Sequence, residues 1–282
     1  MRDALPFSKY QGLGNDFILL DNRHQPELLL NPEQVKQWCD RHFGIGADGV
    51  IFLLQDSDGQ WRMRLINSDG SEAEMCGNGI RCLAKFMQSL GIPPTAEQYA
   101  IQTGAGLRSV QLTPEGAVTV DMGVPALLGK QIPTTLVPPD TEAIAVPLVV
   151  AGQPWAVTLV SMGNPHCVTF VAEVDQVDYT AIGPQFEHHP AFPERINTEF
   201  VAVQDRQTLK MRVWERGAGA TLACGTGACA SVVAGVLNNL CDRQCRVQLL
   251  GGDLLIHWLD TTNHVLMTGP AELVFQGVMA VR

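Results

Sequence analysis

The sequence predicts an α+β protein of two pseudo-symmetric domains from an internal duplication, each a curved mixed or antiparallel sheet wrapped around a central helix. Three observations predict this. A Cys-Gly-x-Gly motif that begins at Cys76 returns at Cys224. Segments of alternating or β-branched apolar residues dominate both halves, and after each motif the apolar period changes to that of a helix. The length of 282 residues fits two domains of about 150 residues each.

The duplication is supported by further matches in the same order along both halves. Residues 62–67 align with residues 210–215 at the offset of the two cysteine motifs, which is 148 residues. At an offset of 149, Asn15 aligns with Asn164 and Asp48 aligns with Asn197. Ordered matches at a nearly constant spacing indicate an internal repeat.

The boundary between the halves is expected where the composition changes. Residues 125–143 hold four prolines and show no clean period, which is typical of a connection between domains. We therefore predict an N-terminal domain over residues 1–130 and a C-terminal domain over 131–270, with the active site in the cleft between them.

Strands are predicted where apolar residues alternate or run between Gly, Asn and Pro punctuation. These segments are 17–20, 50–54, 61–66, 156–160, 167–171, 200–203 and 210–214. The segments 102–123 and 248–269 each predict a pair of strands around a Gly turn. After each cysteine motif, apolar residues at helical spacing predict a helix, with stop signals at Gly91 and at Asn238-Asn239.

The charge balance excludes whole classes of partner. The chain has 19 Lys+Arg against 29 Asp+Glu, a net charge of −10, and no two basic residues are adjacent. We therefore expect no binding to nucleic acid or to an anionic membrane. The N-terminus lacks the apolar core of a secretory signal, and the longest apolar stretches are too short to cross a bilayer. The eight cysteines are then expected as reduced thiols in a cytoplasmic protein.

A cysteine at a helix start has distinctive chemistry. The free N–H groups and the helix dipole stabilise anions, so we expect a lowered thiol pKa at Cys76 and Cys224. The amides of the residues that follow each cysteine can bind a carboxylate, and the flanking glycines let a ligand approach the backbone. If both helix starts face one cleft, the pair suits stereoinversion at a carbon with an acidic proton. One thiolate removes that proton, and the opposite thiol returns one on the other face.

Other interpretations of these residues have less support. The other six cysteines are expected to pack as small hydrophobic residues, and their spacings do not match a zinc site. Residues 225–230 fit the G-x-G-x-x-A dinucleotide pattern, but a Gly-rich loop separates them from the preceding strand. The motifs of serine-hydrolase elbows and P-loops are absent from the sequence.

Six motifs are the most distinctive of the sequence: GLGNDF at 12–17, NSDGS at 67–71, MCGNGIRC at 75–82, SMGNPH at 161–166, ERGAG at 215–219 and ACGTGA at 223–228. Taken together, these motifs resemble the diaminopimelate epimerase family. The resemblance runs from near residue 8 to the C-terminus, and the two cysteine blocks and Glu215-Arg216-Gly217 are its most specific parts. It implies the diaminopimelate epimerase-like fold, no cofactor, no metal, a homodimer, and conversion of L,L-diaminopimelate to the meso isomer in lysine biosynthesis. It also implies that a last strand at 271–282 returns to the first domain.

The resemblance also assigns roles to individual residues. It makes Cys76 and Cys224 the two acid and base thiols, and it makes His166 and Glu215 the pair that modulates their pKa values. The carboxylate at the reacting carbon is bound by the amides of Gly77, Asn78, Gly225 and Thr226. The amino groups and the distal carboxylate of the substrate are held by six polar side chains, namely those of Asn15, Asn67, Asn164, Asn197, Glu215 and Arg216.

One position departs from the family pattern. Some members carry a glutamine that reaches the substrate where this chain has Gly49. We expect this chain to use water or backbone there, with an effect on affinity but not on the chemistry.

Two rival interpretations share the fold. A proline or hydroxyproline racemase also uses two cysteines, but a cyclic imino acid has no distal charged end for the polar set around Asn197 and Arg216 to bind. A phenazine-type isomerase would leave the cysteine pair without a role. From a different class, a thiol redox sensor could join Cys76 and Cys224 in a reversible disulfide, but it would need no polar ligand pocket.

Overall fold

A computed structural model of the chain describes residues 4–280. The chain divides into two compact units. The first comprises the residues up to Asp121 together with those from Thr268 onward, and the second comprises Met122–Met267.

Strands make up most of the regular structure in the described part of the chain. They are β1 Ala4–Gly12, β2 Asn15–Asp21, β3 Gly49–Gln55, β4 Trp61–Asn67, β5 Glu72–Ala73, β6 Gln98–Thr103, β7 Gly106–Leu112, β8 Val118–Asp121, β9 Val146–Val150, β10 Gln153–Ser161, β11 Pro165–Phe170, β12 Asn197–Asp205, β13 Thr208–Glu215, β14 Gly219–Ala220, β15 Gln244–Leu249, β16 Gly252–Trp258, β17 Val265–Gly269 and β18 Glu272–Ala280.

Four α-helices accompany the strands in residues 4–280: α1 Pro32–Cys39, α2 Gly77–Ser89, α3 Tyr179–Glu187 and α4 Gly225–Leu237. Short 3-10 turns lie at Gly129–Gln131 and Val174–Gln176.

The first unit has a mixed sheet in which the pairing alternates in direction. β1 is antiparallel to both β18 and β2, and β2 is parallel to β3. β3 is antiparallel to β4, β4 is parallel to β6, and β6, β7 and β8 continue antiparallel.

The second unit repeats this order of pairings. β10 is antiparallel to β9 and β11, and β11 is parallel to β12. β12 is antiparallel to β13, β13 is parallel to β15, and β15 is antiparallel to β16. The same sequence of parallel and antiparallel pairs in both units is the topology that a duplication produces.

A central helix fills the inner face of each sheet. In α2, Ile80, Leu83 and Met87 are fully buried, and the helix contacts β1, β2, β7 and β8. In α4, Ala and Val residues are buried on nearly every side, because β10 to β13, β15 and β16 all contact this helix. The predicted α+β class, with a sheet wrapped around a helix in each half, is confirmed.

Six of the seven segments predicted as strands lie within strands, the seventh (167–171) extends one residue beyond the end of β11, and both predicted helices begin directly after their cysteines. The sequence patterns missed α1, α3 and β1. In β1, the polar Ser8 and Lys9, both buried, interrupt the apolar alternation. In α3, Gly183 and Pro184 lie inside the helix, where both residues normally disfavour helical structure. Across the described residues, no helix combines the length and the apolar character needed to cross a bilayer.

Candidate active site

Each of the two central helices has a cysteine as its N-cap. Cys76 precedes α2 and Cys224 precedes α4, and both have extended backbone angles. The sulfur of Cys76 accepts a hydrogen bond from the N–H of Gly79, and that of Cys224 accepts one from Gly227, with 3.4 Å in both cases. Both sulfurs therefore satisfy a donor that the helix itself leaves free.

In the first unit, Cys76 lies beside an asparagine whose orientation is fixed. Asn15 donates from Nδ2 to the Asp48 carboxylate at 2.6 Å, so its Oδ1 faces the other way. That oxygen accepts from Asn78 Nδ2 at 3.2 Å and lies 3.7 Å from Cys76 Sγ. The structure thus brings together three of the residues predicted for the site, Asn15, Cys76 and Asn78.

A buried arginine is hydrogen-bonded to the first residues of α2. Arg81, which is fully buried, donates to the carbonyl of Gly77 at 3.1 Å and to Asn78 Oδ1 at 3.0 Å. It also donates to the carbonyl of Pro270 at 3.2 Å. A side chain at Gly12 would bring its Cβ within 3.2 Å of the guanidinium, so the glycine of the GLGND motif leaves room for Arg81.

Asn67 lies at the end of β4 and is half-buried. Its Nδ2 donates to Ser71 Oγ at 3.0 Å, and Ser71 in turn donates to Asp69. The predicted part of Asn67 in the site stays a prediction.

The second unit joins four predicted site residues in one chain of hydrogen bonds. Cys224 Sγ lies 3.5 Å from the hydroxyl of Thr226, and that hydroxyl accepts from Asn164 Nδ2 at 3.3 Å. Asn164 Oδ1 lies 3.0 Å from His166 Nε2. The other ring nitrogen of His166 lies 2.7 Å from Glu199, a residue that the sequence patterns did not single out.

Asn197 is buried and has partners at both ends of its amide. It donates to the carbonyl of Pro165 at 2.7 Å and accepts from the backbone N–H of Arg216 at 3.0 Å. The Arg216 side chain is exposed, and Nη1 donates to the carbonyl of Glu194 at 3.1 Å. This arrangement leaves most of the guanidinium donors available to an anionic ligand.

Glu215 lies at the end of β13, where its carboxylate accepts a short hydrogen bond from Thr221 Oγ1 and is also hydrogen-bonded to Cys224. Burial raises the pKa of Glu215 above its usual range. When a buried carboxyl contacts a thiol, the protonation state of each group changes the pKa of the other.

The predicted lowering of the Cys224 pKa is wrong for this structure. Burial raises the pKa of the Cys224 thiol well above its ordinary value, and the nearby carboxyls of Glu215 and Glu199 raise it further. The Thr226 hydroxyl and the Gly227 N–H act in the opposite direction, but they do not outweigh burial. For Cys76, which is only half-buried, the lowered pKa stays a prediction.

The structure explains the departure at Gly49. A Cβ at this position would lie 2.8 Å from the carbonyl oxygen of Ile66 and 2.9 Å from Leu65 Cδ1. The first residue of β3 therefore has no room for a glutamine, because Gly49 lies directly opposite Asn67 in the antiparallel pair with β4.

Glu199 and Asp48 are the functional candidates that the motifs missed. Glu199 is a fully buried acidic residue in the apolar strand β12, just before the segment predicted as a strand. A charged residue in such a position is a usable signal, because unpaired charges are rarely buried. Among the described residues, no group of three His, Cys, Asp or Glu side chains is placed to hold a metal ion.

Solved structures show which group of proteins shares this fold. A PhzF-family phenazine biosynthesis protein from Bacillus anthracis superposes with a TM-score of 0.69 at 14% identity, over 99% of both chains. A hydroxyproline epimerase from Agrobacterium vitis gives 0.68 at 12% identity, over 99% of this chain and 93% of that one. The chain has the fold of this group of epimerases, racemases and PhzF-type proteins.

The sequence comparisons identify the family within that class. The model of the diaminopimelate epimerase family matches residues 7–128 and 158–274. The diaminopimelate epimerase of a Synechococcus strain is 61% identical over 284 residues, 99% of this chain and all of the relative. That of Rippkaea orientalis is 61% identical over 277 residues, 98% of this chain and 99% of the relative. The chain belongs to the diaminopimelate epimerase family, a family of isomerases.

Proposed function

We propose that the chain converts L,L-diaminopimelate to meso-diaminopimelate by a two-base mechanism, in the route to lysine. The observation that carries the proposal is the matched pair of N-cap cysteines. Cys76 and Cys224 begin helices of 13 residues each, with the same contact to the amide three residues on. Identity near 60% to named diaminopimelate epimerases supports this substrate, whereas the hydroxyproline epimerase matches at 12%.

In the proposed reaction the thiolate of one cysteine takes the α-proton, and the electron pair of the broken C–H bond spreads onto the substrate carboxylate. The thiol of the other cysteine then gives its proton to the opposite face of the same carbon. After one turnover the thiolate and the thiol have exchanged places. Because burial raises the pKa of Cys224, we assign it the proton at the start, with Cys76 as the base.

The carboxylate at the reacting carbon is bound, in this proposal, by amides at the two helix starts. The N–H groups of Gly77, Asn78, Gly225 and Thr226 belong to first helical turns, where the helix offers them no acceptor. Such preorganised donors stabilise the negative charge that develops in the transition state.

The rest of the substrate carries two ammonium groups and a distal carboxylate. We assign Arg216 to the carboxylate, since its exposed guanidinium retains free donors. The amide side chains at positions 15, 67, 164 and 197 can serve either charge because each has a donor and an acceptor. Glu215 suits an ammonium group and, with His166, modulates the cysteine pKa values.

We further propose a cytoplasmic homodimer that binds neither nucleic acid nor membranes. Support for the dimer comes from β18, which exposes a row of apolar side chains; Phe275 is 45% exposed and Val278 is 69% exposed. Exposed apolar patches of this kind are typical of contact surfaces. Light scattering after gel filtration tests the dimer: a mass near 61 kDa supports it, and one near the 30.6 kDa of the single chain contradicts it.

Proton exchange followed by NMR in D₂O tests the activity. Reduced protein is offered L,L-diaminopimelate and, separately, L-proline. Deuterium at one α-carbon of diaminopimelate together with meso product is the expected result. Exchange with proline alone would move the chain to the racemases of this fold. Exchange with neither substrate would overturn the proposal and favour a redox role for the thiols.

A further inference from the structure

Glu199 is a buried carboxyl that the proposed reaction does not use. It lies on β12 with no exposed surface. Oε1 lies 2.7 Å from His166 Nδ1, and Oε2 makes no hydrogen bond with any described residue. Gly227, at the start of α4, packs so closely that a Cβ there would lie 2.6 Å from Oε1 and 3.2 Å from Cys224 Sγ. The carboxyl is therefore close to the cysteine without bonding to it.

The direction of the neighbouring hydrogen bonds fixes where the protons lie. His166 Nε2 faces Asn164 Oδ1, and an amide oxygen can only accept, so Nε2 carries a hydrogen. Nδ1 then either donates to an ionised Glu199 or accepts from a protonated one. In both arrangements Glu199 and His166 together hold one more proton than an ionised carboxylate and a neutral imidazole would hold. Both arrangements leave the buried pair without net charge, which suits a site closed to solvent.

The donor and acceptor roles at His166 also decide the direction of the hydrogen bonds between His166 and Cys224. With its oxygen held by Nε2–H, Asn164 turns its Nδ2 toward Thr226 and donates to the hydroxyl at 3.3 Å. That hydroxyl already accepts a hydrogen, so its own proton is free for Cys224 Sγ, 3.5 Å away. Without a hydrogen on Nε2 the amide would reverse, and Thr226 would donate to Asn164 instead of to the sulfur.

We propose that Glu199 is a positioning residue for Cys224. It holds His166 so that Nε2–H donates to the oxygen of Asn164. The nitrogen of Asn164 then donates to the Thr226 hydroxyl, and that hydroxyl donates to the Cys224 sulfur. This inference rests on the proposed function and deepens it. The donor matters once Cys224 has given its proton to the substrate, because the resulting thiolate is buried beside Glu215. A charged acceptor gains more from a hydrogen bond than a neutral thiol does.

The test separates this role from simple packing. Glu199→Leu removes the partner of Nδ1 at similar volume, and Thr226→Val removes the hydroxyl alone. Thr198→Val is the matched control, since Thr198 is the neighbouring buried residue on β12 and its hydroxyl has no hydrogen bond. We expect E199L to lower kcat about tenfold or more with KM within about threefold, and T198V to match wild type.

The double variant gives the decisive comparison. If Glu199 acts through the Thr226 hydroxyl, then E199L/T226V turns over no more slowly than the slower single variant. If the two substitutions instead lower kcat independently, so that their effects multiply in the double variant, the proposal is overturned. Glu199→Gln, whose amide can donate to Nδ1, is expected to recover most of kcat. It keeps the test informative if E199L does not fold.

A measurement without substrate keeps this proposal separate from the proposed function. Histidine ¹⁵N NMR, with His166 assigned by its loss in His166→Gln, is expected to show a protonated Nε2 in wild type and in T198V. A neutral ring protonated only at Nδ1 would overturn the proposal. Failure to epimerise diaminopimelate would overturn the proposed function, while the NMR result would still decide the role of Glu199.

Discussion

Asn15 turns its side-chain oxygen toward Cys76, with 3.7 Å between Oδ1 and Sγ. The Asp48 carboxylate imposes this orientation by binding the nitrogen of the same amide. In the second unit the matching Asn164 is held the other way, with its oxygen on His166 and its nitrogen on Thr226. Cys76 thus has an amide oxygen beside its sulfur, whereas Cys224 has a hydroxyl that can donate to the sulfur once Cys224 has given its proton to the substrate. The two duplicated sites therefore differ in the group beside the cysteine, which is an acceptor in the first unit and a hydroxyl donor in the second.

Replacing either Cys76 or Cys224 by alanine is expected to lower kcat for epimerisation by about 1,000-fold or more, since each direction needs both a base and an acid. The fold should persist, because alanine keeps the backbone of each helix start and removes only side-chain contacts of the sulfur, including that to the helix amide three residues on. Meso product formation, followed by NMR, measures the effect. Cys39→Ala is the control, because burial raises the pKa of that thiol to about 12 and no role is assigned to it. Near-normal turnover in either active-site variant would contradict the two-base mechanism.

Glu215→Gln is expected to lower the pKa of the Cys224 thiol. After burial, the Glu215 carboxyl is the largest cause that raises this pKa, and removing negative charge favours the thiolate. The rate of Cys224 alkylation by iodoacetamide, followed by mass spectrometry against pH, should shift to lower pH. Glu187→Gln is the matched control, because Glu187 is buried in the same unit but binds Trp214 and the Gly217 amide instead. An unchanged profile in E215Q would show that the carboxyl does not act on the thiol.

The sequence motifs were sufficient to find the two helix starts and most of the polar residues around them. Glycines beside a cysteine leave a distinct pattern, and a duplication shows that pattern twice. The raised pKa of Cys224 could not be found in this way, because it depends first on burial and then on carboxyls from two different strands, at Glu215 and Glu199. The roles of Asp48 and Glu199 were missed for the same reason. Each acts through an asparagine or a histidine that is far away in sequence.

Asp16→Asn is expected to lower the free energy of unfolding by about 3 kcal/mol at pH 7, because it leaves the buried ammonium of Lys9 without an anionic partner, with only its hydrogen bond to the Gly46 carbonyl. Lys9 Nζ lies 2.5 Å from Asp16 and is nearly buried. Burial alone would raise the pKa of Asp16, but the hydrogen bonds from Arg41 and Lys9 outweigh it and lower this pKa.

The pH dependence of this difference has a definite sign. A depressed carboxyl pKa stabilises the fold above its unfolded value of about 4, and that stabilisation is lost as pH falls through the folded pKa. Urea unfolding at pH 7 and at pH 3 should therefore show the gap between D16N and wild type shrinking in acid. Asp253→Asn provides the control, since its pair with Arg246 is largely exposed and is expected to contribute under about 1 kcal/mol. A gap that stays constant between the two pH values would contradict the ion-pair explanation.

Gly227→Ala is expected to reduce kcat about tenfold or more, although alanine is the better helix former by roughly 1 kcal/mol. The added Cβ would lie 2.6 Å from Glu199 Oε1, so the carboxyl must move away from His166 or the helix start must move away from Cys224. At the matching position of the first unit, Gly79, a Cβ would meet Ile51 Cδ1 at 3.0 Å and Met63 Cε at 3.2 Å. These are the ends of flexible side chains, so Gly79→Ala should lose less activity than G227A. Steady-state kinetics with a thermal melt of each variant measures both effects, and a G227A enzyme with wild-type kcat would show that the contact with Glu199 is not needed.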